Sequence, residues 1–139
     1  MTLTGTTSGS TTTDASGNYT LTGVSGGTYT VTPTKAARAP GSFGINTTDV
    51  IAIQRHFLNI TLLTGCRLAA ADVNNDSTVN TNDVVATQRF LLGLSTGIDN
   101  VGKYKFNPFN RTYSPLTGNQ TAQNYDTIVF GDVATPFAE

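Results

Sequence analysis

Asp72-Val73-Asn74-Asn75-Asp76-Ser77-Thr78-Val79-Asn80-Thr81-Asn82-Asp83 is the stretch on which the reading of this chain turns. Oxygen-bearing side chains fall at every second position from Asp72 to Asn80, and a last carboxylate follows at Asp83. Counted from Asp72, the residues Asp72, Asn74, Asp76, Thr78, Asn80 and Asp83 occupy positions 1, 3, 5, 7, 9 and 12, the ligand spacing of a calcium loop. Ca2+ is a hard ion that collects roughly six to eight oxygens, and a coiling loop turns alternate positions inward. In that scheme Thr78 gives its backbone carbonyl, Asn80 acts directly or through a water, and Asp83 binds with both oxygens. Three carboxylates around a divalent ion leave a net charge of about −1. No His or Cys lies in the loop, which disfavours zinc. Position 6 is Ser77, where glycine is usual.

A helix is expected to follow the loop. Val84, Gln88 and Leu91 recur at helical spacing, and Asn80-Thr81-Asn82 supplies N-cap candidates. The block occurs twice. Asn46–Leu58 set on Asn80–Leu92, an offset of 34, is identical at 8 of 13 positions. Val50, Ile53 and Phe57 give the earlier copy the same helical stripe. Helices are therefore expected near 47–58 and 81–93, with Asn59 and Gly93 at left-handed C-cap sites. They should pack through their apolar stripes as a pseudo-twofold pair. The first copy has lost most of its ligands: Arg38, Pro40 and Ser42 stand at positions 1, 3 and 5, and only Asn46 and Asp49 remain at 9 and 12. Either Asp49 is a first-turn acid that binds no ion, or Asn46 and Asp49 join carbonyls of the Pro40–Gly44 loop in a weaker second site. One Ca2+ is expected in the second copy, and a second ion stays open in the first.

Outside the repeat the period changes. Residues 2–34 alternate polar and apolar, with strands expected near 2–6, 10–13, 18–23 and 28–33. Turns fall at Asp14–Gly17 and Ser25–Gly27, and Pro33 ends the last strand. Strand character returns in Lys103–Phe106 and in the β-branched run Tyr125–Val133, with a polar, exposed loop expected from Asn110 to Gln123. The fold class is α+β and mainly β, with an inserted helix pair. Three segments are expected: strands over 1–35, the calcium-binding pair over 36–98, and strands returning to the sheet over 99–139.

Composition narrows the function. The 139 residues are 12% charged with a net charge of −1, so no basic face is available for nucleic acid. No apolar run approaches the length of a membrane span. Residues 2–35 are polar and Thr-rich, unlike a secretion signal, so any such signal is expected to have been removed or to lie upstream. Thr occurs 26 times, Asp eight times against the single Glu139, and Lys three times, a balance that suits extracellular β-structure rather than a helical bundle. The lone Cys66 excludes an internal disulfide, which leaves a metal as the staple for so small a fold.

Residues 44–95, with their two loop–helix copies and the Asp-x-Asn-x-Asp run closed by a terminal Asp, resemble a dockerin. The resemblance implies calcium binding and a cohesin-like protein partner. It places partner recognition at loop positions 10 and 11 and on the following helix, here Thr47, Thr48 and Arg55 in the first copy and Thr81, Asn82 and Arg89 in the second. The near-symmetry of the two sets implies two binding orientations. Residues 2–34 resemble the back half of a prealbumin-like or carboxypeptidase-regulatory-like sandwich, in the runs Thr11–Leu21 and Gly27–Val31. Such a sandwich begins with further strands, so the sheet here is expected to be incomplete, closed by the C-terminal strands or by a neighbour's strand.

Three functions follow from these residues. The first is a non-catalytic structural subunit of an extracellular, calcium-stabilised assembly, a filament of copies exchanging strands. The second is an anchoring module that binds a cohesin-like partner. The third is a carbohydrate-binding face made by Tyr104, Phe106, Phe109 and Tyr113, residues that more often serve strand and turn packing. No enzyme is expected. His56 is the only histidine and reads as a half-buried packing residue, Cys66 as a small buried hydrophobe, and no nucleophile has a base and an orienting acid beside it. Six glycosylation sequons occur, of which Asn110 and Asn119, with the Thr-rich N-terminal strands, are the exposed candidates for glycans.

Overall fold

The computed structural model describes residues 1–134. In chain order they form β1 (Thr2–Gly5), β2 (Gly9–Ser10), β3 (Tyr29–Thr32), α1 (Thr47–Phe57), α2 (Gly65–Ala71), α3 (Thr81–Leu91), β4 (Tyr104–Asn107), β5 (Arg111–Tyr113) and β6 (Asp126–Val129). The fold is α+β, but the helices hold more residues than the strands, which corrects the expectation of a mainly β chain. Two compact units result. One is Met1–Lys35 with Phe106–Thr127, and the other is Ala36–Lys105 with the chain from Ile128 onward.

In the strand unit the sheet order is β2-β1-β3-β5. β1 and β3 run antiparallel with Leu3 opposite Val31, and β3 and β5 antiparallel with Tyr29 opposite Tyr113. Period two puts Leu3, Tyr29 and Val31 on the buried face. On the other face the hydroxyls of Thr30 and Thr112 meet at 3.2 Å. Tyr19, Leu21, Val24, Tyr113, Leu116 and Tyr125 cover the buried face. The described strands form this four-stranded sheet and a separate two-stranded one, and the sandwich expected from residues 2–34 is not established by them.

Residues 18–23 alternate as a strand would, yet form none. Asp14 closes the turn before them, its Oδ1 accepting the N–H of Ser16 at 2.9 Å and of Asn18 at 2.8 Å. Gly17 and Gly23, at φ of 80° and 72°, bend the chain at either side. Tyr19 and Leu21 therefore reach the core from a loop, so the alternation reported burial and not a ladder. β5 is the converse case. It lies inside the expected exposed loop, and its three residues are too few to show a period.

In the helix unit, α1 and α3 pack against one another. Ile53, Leu63, Ala70, Ala71 and Val133 form one buried cluster. Ile45, Val73, Ala86, Phe90, Val101 and Phe130 form a second. Both helices end in the same way. Asn59 (φ 56°) and Gly93 (φ 76°) turn left-handed, and the N–H groups of Ile60 and Leu94 reach back to the carbonyls of Arg55 and Arg89 at 2.9 and 3.0 Å. α2 was not expected. Its Leu68-Ala69-Ala70-Ala71 run consists of strong helix formers, but seven residues are too short to display periodicity. Cys66 sits on it exposed, not buried as expected. β4 and β6 pair as a separate two-stranded sheet. The Tyr125–Val133 run is not one long strand, because the chain turns at Gly131 (φ 90°), where a Cβ would come within 2.8 Å of Val101 Cγ1.

Candidate metal centre

Each copy is anchored by a capping box. Asn46 Oδ1 accepts the Thr48 N–H at 2.8 Å, and Asp49 Oδ2 accepts the Asn46 N–H at 2.9 Å. In the second copy Asn80 Oδ1 accepts from Asn82 at 2.8 Å, and Asp83 Oδ2 from Asn80 at 2.8 Å. Satisfying orphan N–H groups in this reciprocal way fixes where each helix begins. Both Asp49 and Asp83 are fully buried.

Upstream of α3 the loop coils through its own side-chain oxygens. The Asp72 carboxylate takes the N–H of Asp76 on Oδ1 at 3.0 Å and of Ser77 on Oδ2 at 2.9 Å. Asn74 Oδ1 also takes the Asp76 N–H, at 3.0 Å. Asp76 Oδ1 takes the Thr78 N–H at 2.8 Å and its hydroxyl at 2.6 Å. Asn75 and Ser77 are left-handed, at φ of 59° and 73°. Ser77 therefore occupies the glycine position in the conformation that makes glycine usual there. Asp83 closes the loop: its Oδ1 accepts the N–H of Val73 at 2.8 Å and of Asn74 at 3.4 Å.

The predicted ligands Asp72, Asn74, Asp76, Thr78, Asn80 and Asp83 thus lie on one continuous turn of chain, joined by hydrogen bonds. Among the described residues no three carboxylate, imidazole or thiol groups converge as metal ligands; these oxygens accept from backbone N–H groups, the Thr78 hydroxyl and the Asn74 amide. The donor set is nevertheless that of a hard cation: three carboxylates, two amide oxygens and a carbonyl, with no nitrogen or sulfur donor. The hydroxyl of Thr78 and the amide of Asn74 hold the Asp76 carboxyl below the usual carboxylate range. Burial pushes Asp83 up, against the pull of the Asn80, Asn74 and Val73 N–H groups, and the Asp72 carboxylate adds to the rise. A positive charge beside Asp83 and Asp72 would offset both costs.

The first copy is built differently. Asn46 and Asp49 stand together, but Arg38 points its Nη1 at the Phe43 carbonyl at 2.9 Å, and its guanidinium lies 5.8 Å from the Tyr104 ring centroid. Asp49 Oδ1 accepts the N–H of Val133 at 2.8 Å and of Ala134 at 2.9 Å. These two residues were not among the sequence candidates. The signal that could have found them is the Asp132-Val133 pair, which repeats Asp72-Val73.

Thr47, Thr48, Thr81, Asn82 and Arg55 are exposed at corresponding places in the two copies. Arg89 departs from the symmetry. It is half-buried, with Nε donating to the Thr96 carbonyl at 2.8 Å and Nη2 near the Thr96 hydroxyl at 3.3 Å. Large apolar side chains are exposed in matching pairs that sequence reading missed: Ile51 with Val85, Leu58 with Leu92, and Ile60 with Leu94. His56 is half-buried and its Nδ1 accepts the Leu63 N–H at 2.9 Å, a packing role. Of the four aromatics weighed for sugar binding, Tyr113 belongs to the strand-unit core and Tyr104 lies against Arg38. Phe109 is exposed.

No described helix is long and apolar enough to cross a membrane. No curated protein and no solved structure matches the chain. Dockerin domains are calcium-binding, non-catalytic modules that attach proteins, typically extracellular ones, to cohesin domains. Residues 41–92, which carry α1, α2 and α3, match the family model of the dockerin type I domain, so this segment of the chain is dockerin-like.

Proposed function

We propose that the helix unit is an extracellular, calcium-dependent anchoring module and that α1 and α3 present its docking face to a cohesin-like partner. The observation that carries this reading is the duplicated surface. The exposed pairs Ile51 and Val85, and Leu58 and Leu92, recur at the offset of the repeat, the first pair one turn after the exposed polar residues that start each helix and the second at the helix C-caps. Exposed apolar residues arranged in a repeated set, and not scattered singly, are the mark of an interaction surface. The calcium ligands are Asp72, Asp76 and Asp83 through carboxylates, Asn74 and Asn80 through amide oxygens, and Thr78 through its carbonyl. A bound Ca2+ supplies the charge that lets three carboxylates share one small loop, and so fixes the entry to α3. Because Arg89 is half-buried and tied to Thr96 whereas Arg55 is exposed, the two halves of the face are not equivalent, and one binding orientation is favoured over the other.

A filament built by strand exchange gains no support. Thr2–Gly5 pairs on both sides within its own sheet, and Asp126–Val129 pairs with β4 of the same chain. The test is binding of the full chain to purified cohesin domains by calorimetry, in calcium and in chelator. The expected result is binding in calcium that is lost in chelator and weakened at least tenfold by the surface pair Ile51→Asp with Val85→Asp. Absence of binding, or binding indifferent to both changes, rejects the reading.

A further inference from the structure

Asp49 and Asp83 each hold three backbone N–H groups, and one of the three is local in both copies. The other two differ in origin. Asp83 takes them from Val73 and Asn74, at the opening of its own loop, 10 and 9 residues away. Asp49 takes them from Val133 and Ala134, 84 and 85 residues away. The donor segments begin alike, Asp72-Val73 and Asp132-Val133. Both valines are fully buried, Val73 against Ala86 and Phe90 of α3, and Val133 in the cluster of Ile53 of α1. The Gly131 N–H also bonds the Ala70 carbonyl at 2.8 Å, which seats the distant segment beside α2.

The contiguous first loop cannot make both of these bonds. Its residues at positions 2 and 3 are Ala39 and Pro40, and proline has no N–H to give. Nearby donors are spent elsewhere: Arg38 N–H goes to the Gly102 carbonyl at 2.9 Å and Gly41 N–H to the Phe90 carbonyl at 2.7 Å. A fully buried carboxylate left with a single donor is strongly unfavourable. The buried seat of α1 therefore requires donors from some other part of the chain.

We propose that Asp132-Val133-Ala134 is the opening of the first loop, displaced to the other end of the chain. It closes the first copy at Asp49 as Asp72-Val73-Asn74 closes the second at Asp83. The anchoring face on α1 then depends on a segment more than 80 residues downstream. Removing or displacing that segment opens the first copy and leaves the second loop intact. The inference holds whether or not an ion sits between residues 72 and 83, so it stands or falls apart from the calcium reading.

Backbone amide exchange followed by NMR on the full chain tests it. The Val133 and Ala134 amides are expected to exchange at least 100-fold more slowly than open chain. Asp49→Ala should remove at least tenfold of that protection while the Val73 and Asn74 amides keep theirs. Ala134→Pro, which deletes one donor and leaves Asp49 in place, should lower protection across α1 more than across α3. Open-chain exchange at Val133 and Ala134 in the unaltered protein overturns the proposal, even if the variants fail to fold. Equal loss across α1 and α3 in Ala134→Pro also overturns it.

Discussion

The two copies of the loop–helix block share a sequence, a capping box and a C-terminal turn, yet they are finished by different means. The second is closed by residues just upstream of it, which bring three carboxylates into one loop. The first has Arg38, Pro40 and Ser42 at the equivalent places and is closed by backbone donors from residues 133 and 134. What the two have in common is the demand made by a buried aspartate for three N–H partners. What differs is whether the segment that meets the demand also carries ligands for an ion. A duplicated element can thus keep its shape in both copies while only one keeps the oxygen-bearing residues at calcium-loop spacing in its sequence.

The largest effect should come from the two buried aspartates. In chelator, Asp49→Ala and Asp83→Ala each strand a set of buried donors and should cost about 3 kcal/mol in urea unfolding, nearly equally. At calcium about 1,000-fold above Kd, Asp83→Ala should forfeit a further ~4 kcal/mol that Asp49→Ala retains. Equal costs for both variants in calcium would erase the distinction between the copies.

The strand unit offers a second contrast, because its core contains phenols. Burial raises Tyr125 to about 12, with Tyr19 and Tyr113 adding to the rise and Arg111 opposing it. Burial also raises Tyr19 and Tyr113. A folded pKa above the unfolded value of 10.0 means that the folded state holds its proton more firmly. The contribution is fully present below pH 10 and is lost as pH rises through about 12. An alkaline titration should therefore release tyrosine absorbance together with loss of the strand-unit NMR signals over that window. Tyrosines that ionise at the ordinary value with the strand unit intact would contradict it.

The smallest effect lies inside the second loop. Ser77 pays for a left-handed backbone at φ 73°, so Ser77→Gly should raise stability by about 1 kcal/mol with calcium binding preserved. A destabilised variant would show that the hydroxyl, not the backbone, governs this position.

Sequence reading succeeded where the deciding chemistry is local. Asn46 and Asn80 mark the helix starts, Asn59 and Gly93 mark the ends, and both signals act within a turn of chain. It failed where partners are remote or elements short. The alternation at 18–23 correctly pointed Tyr19 and Leu21 inward, but ladder bonds need a neighbour that the sequence does not specify. β5 has three residues and α2 seven, too few for a period to emerge. The donors to Asp49 lie at the opposite end of the chain, and only the repeated Asp-Val pair marks them.

Calcium titration calorimetry on the unaltered chain and on Asp76→Ala bears most directly on the account. Asp76 is exposed and caps no helix, so its removal leaves the helix caps in place, and takes from the loop one carboxylate with its bonds to Thr78 and Asn74. The predicted result is saturable calcium binding by the unaltered chain, weakened at least tenfold in the variant. A chain that takes up no calcium, or a variant that binds it equally well, would contradict the assignment of an ion to residues 72–83.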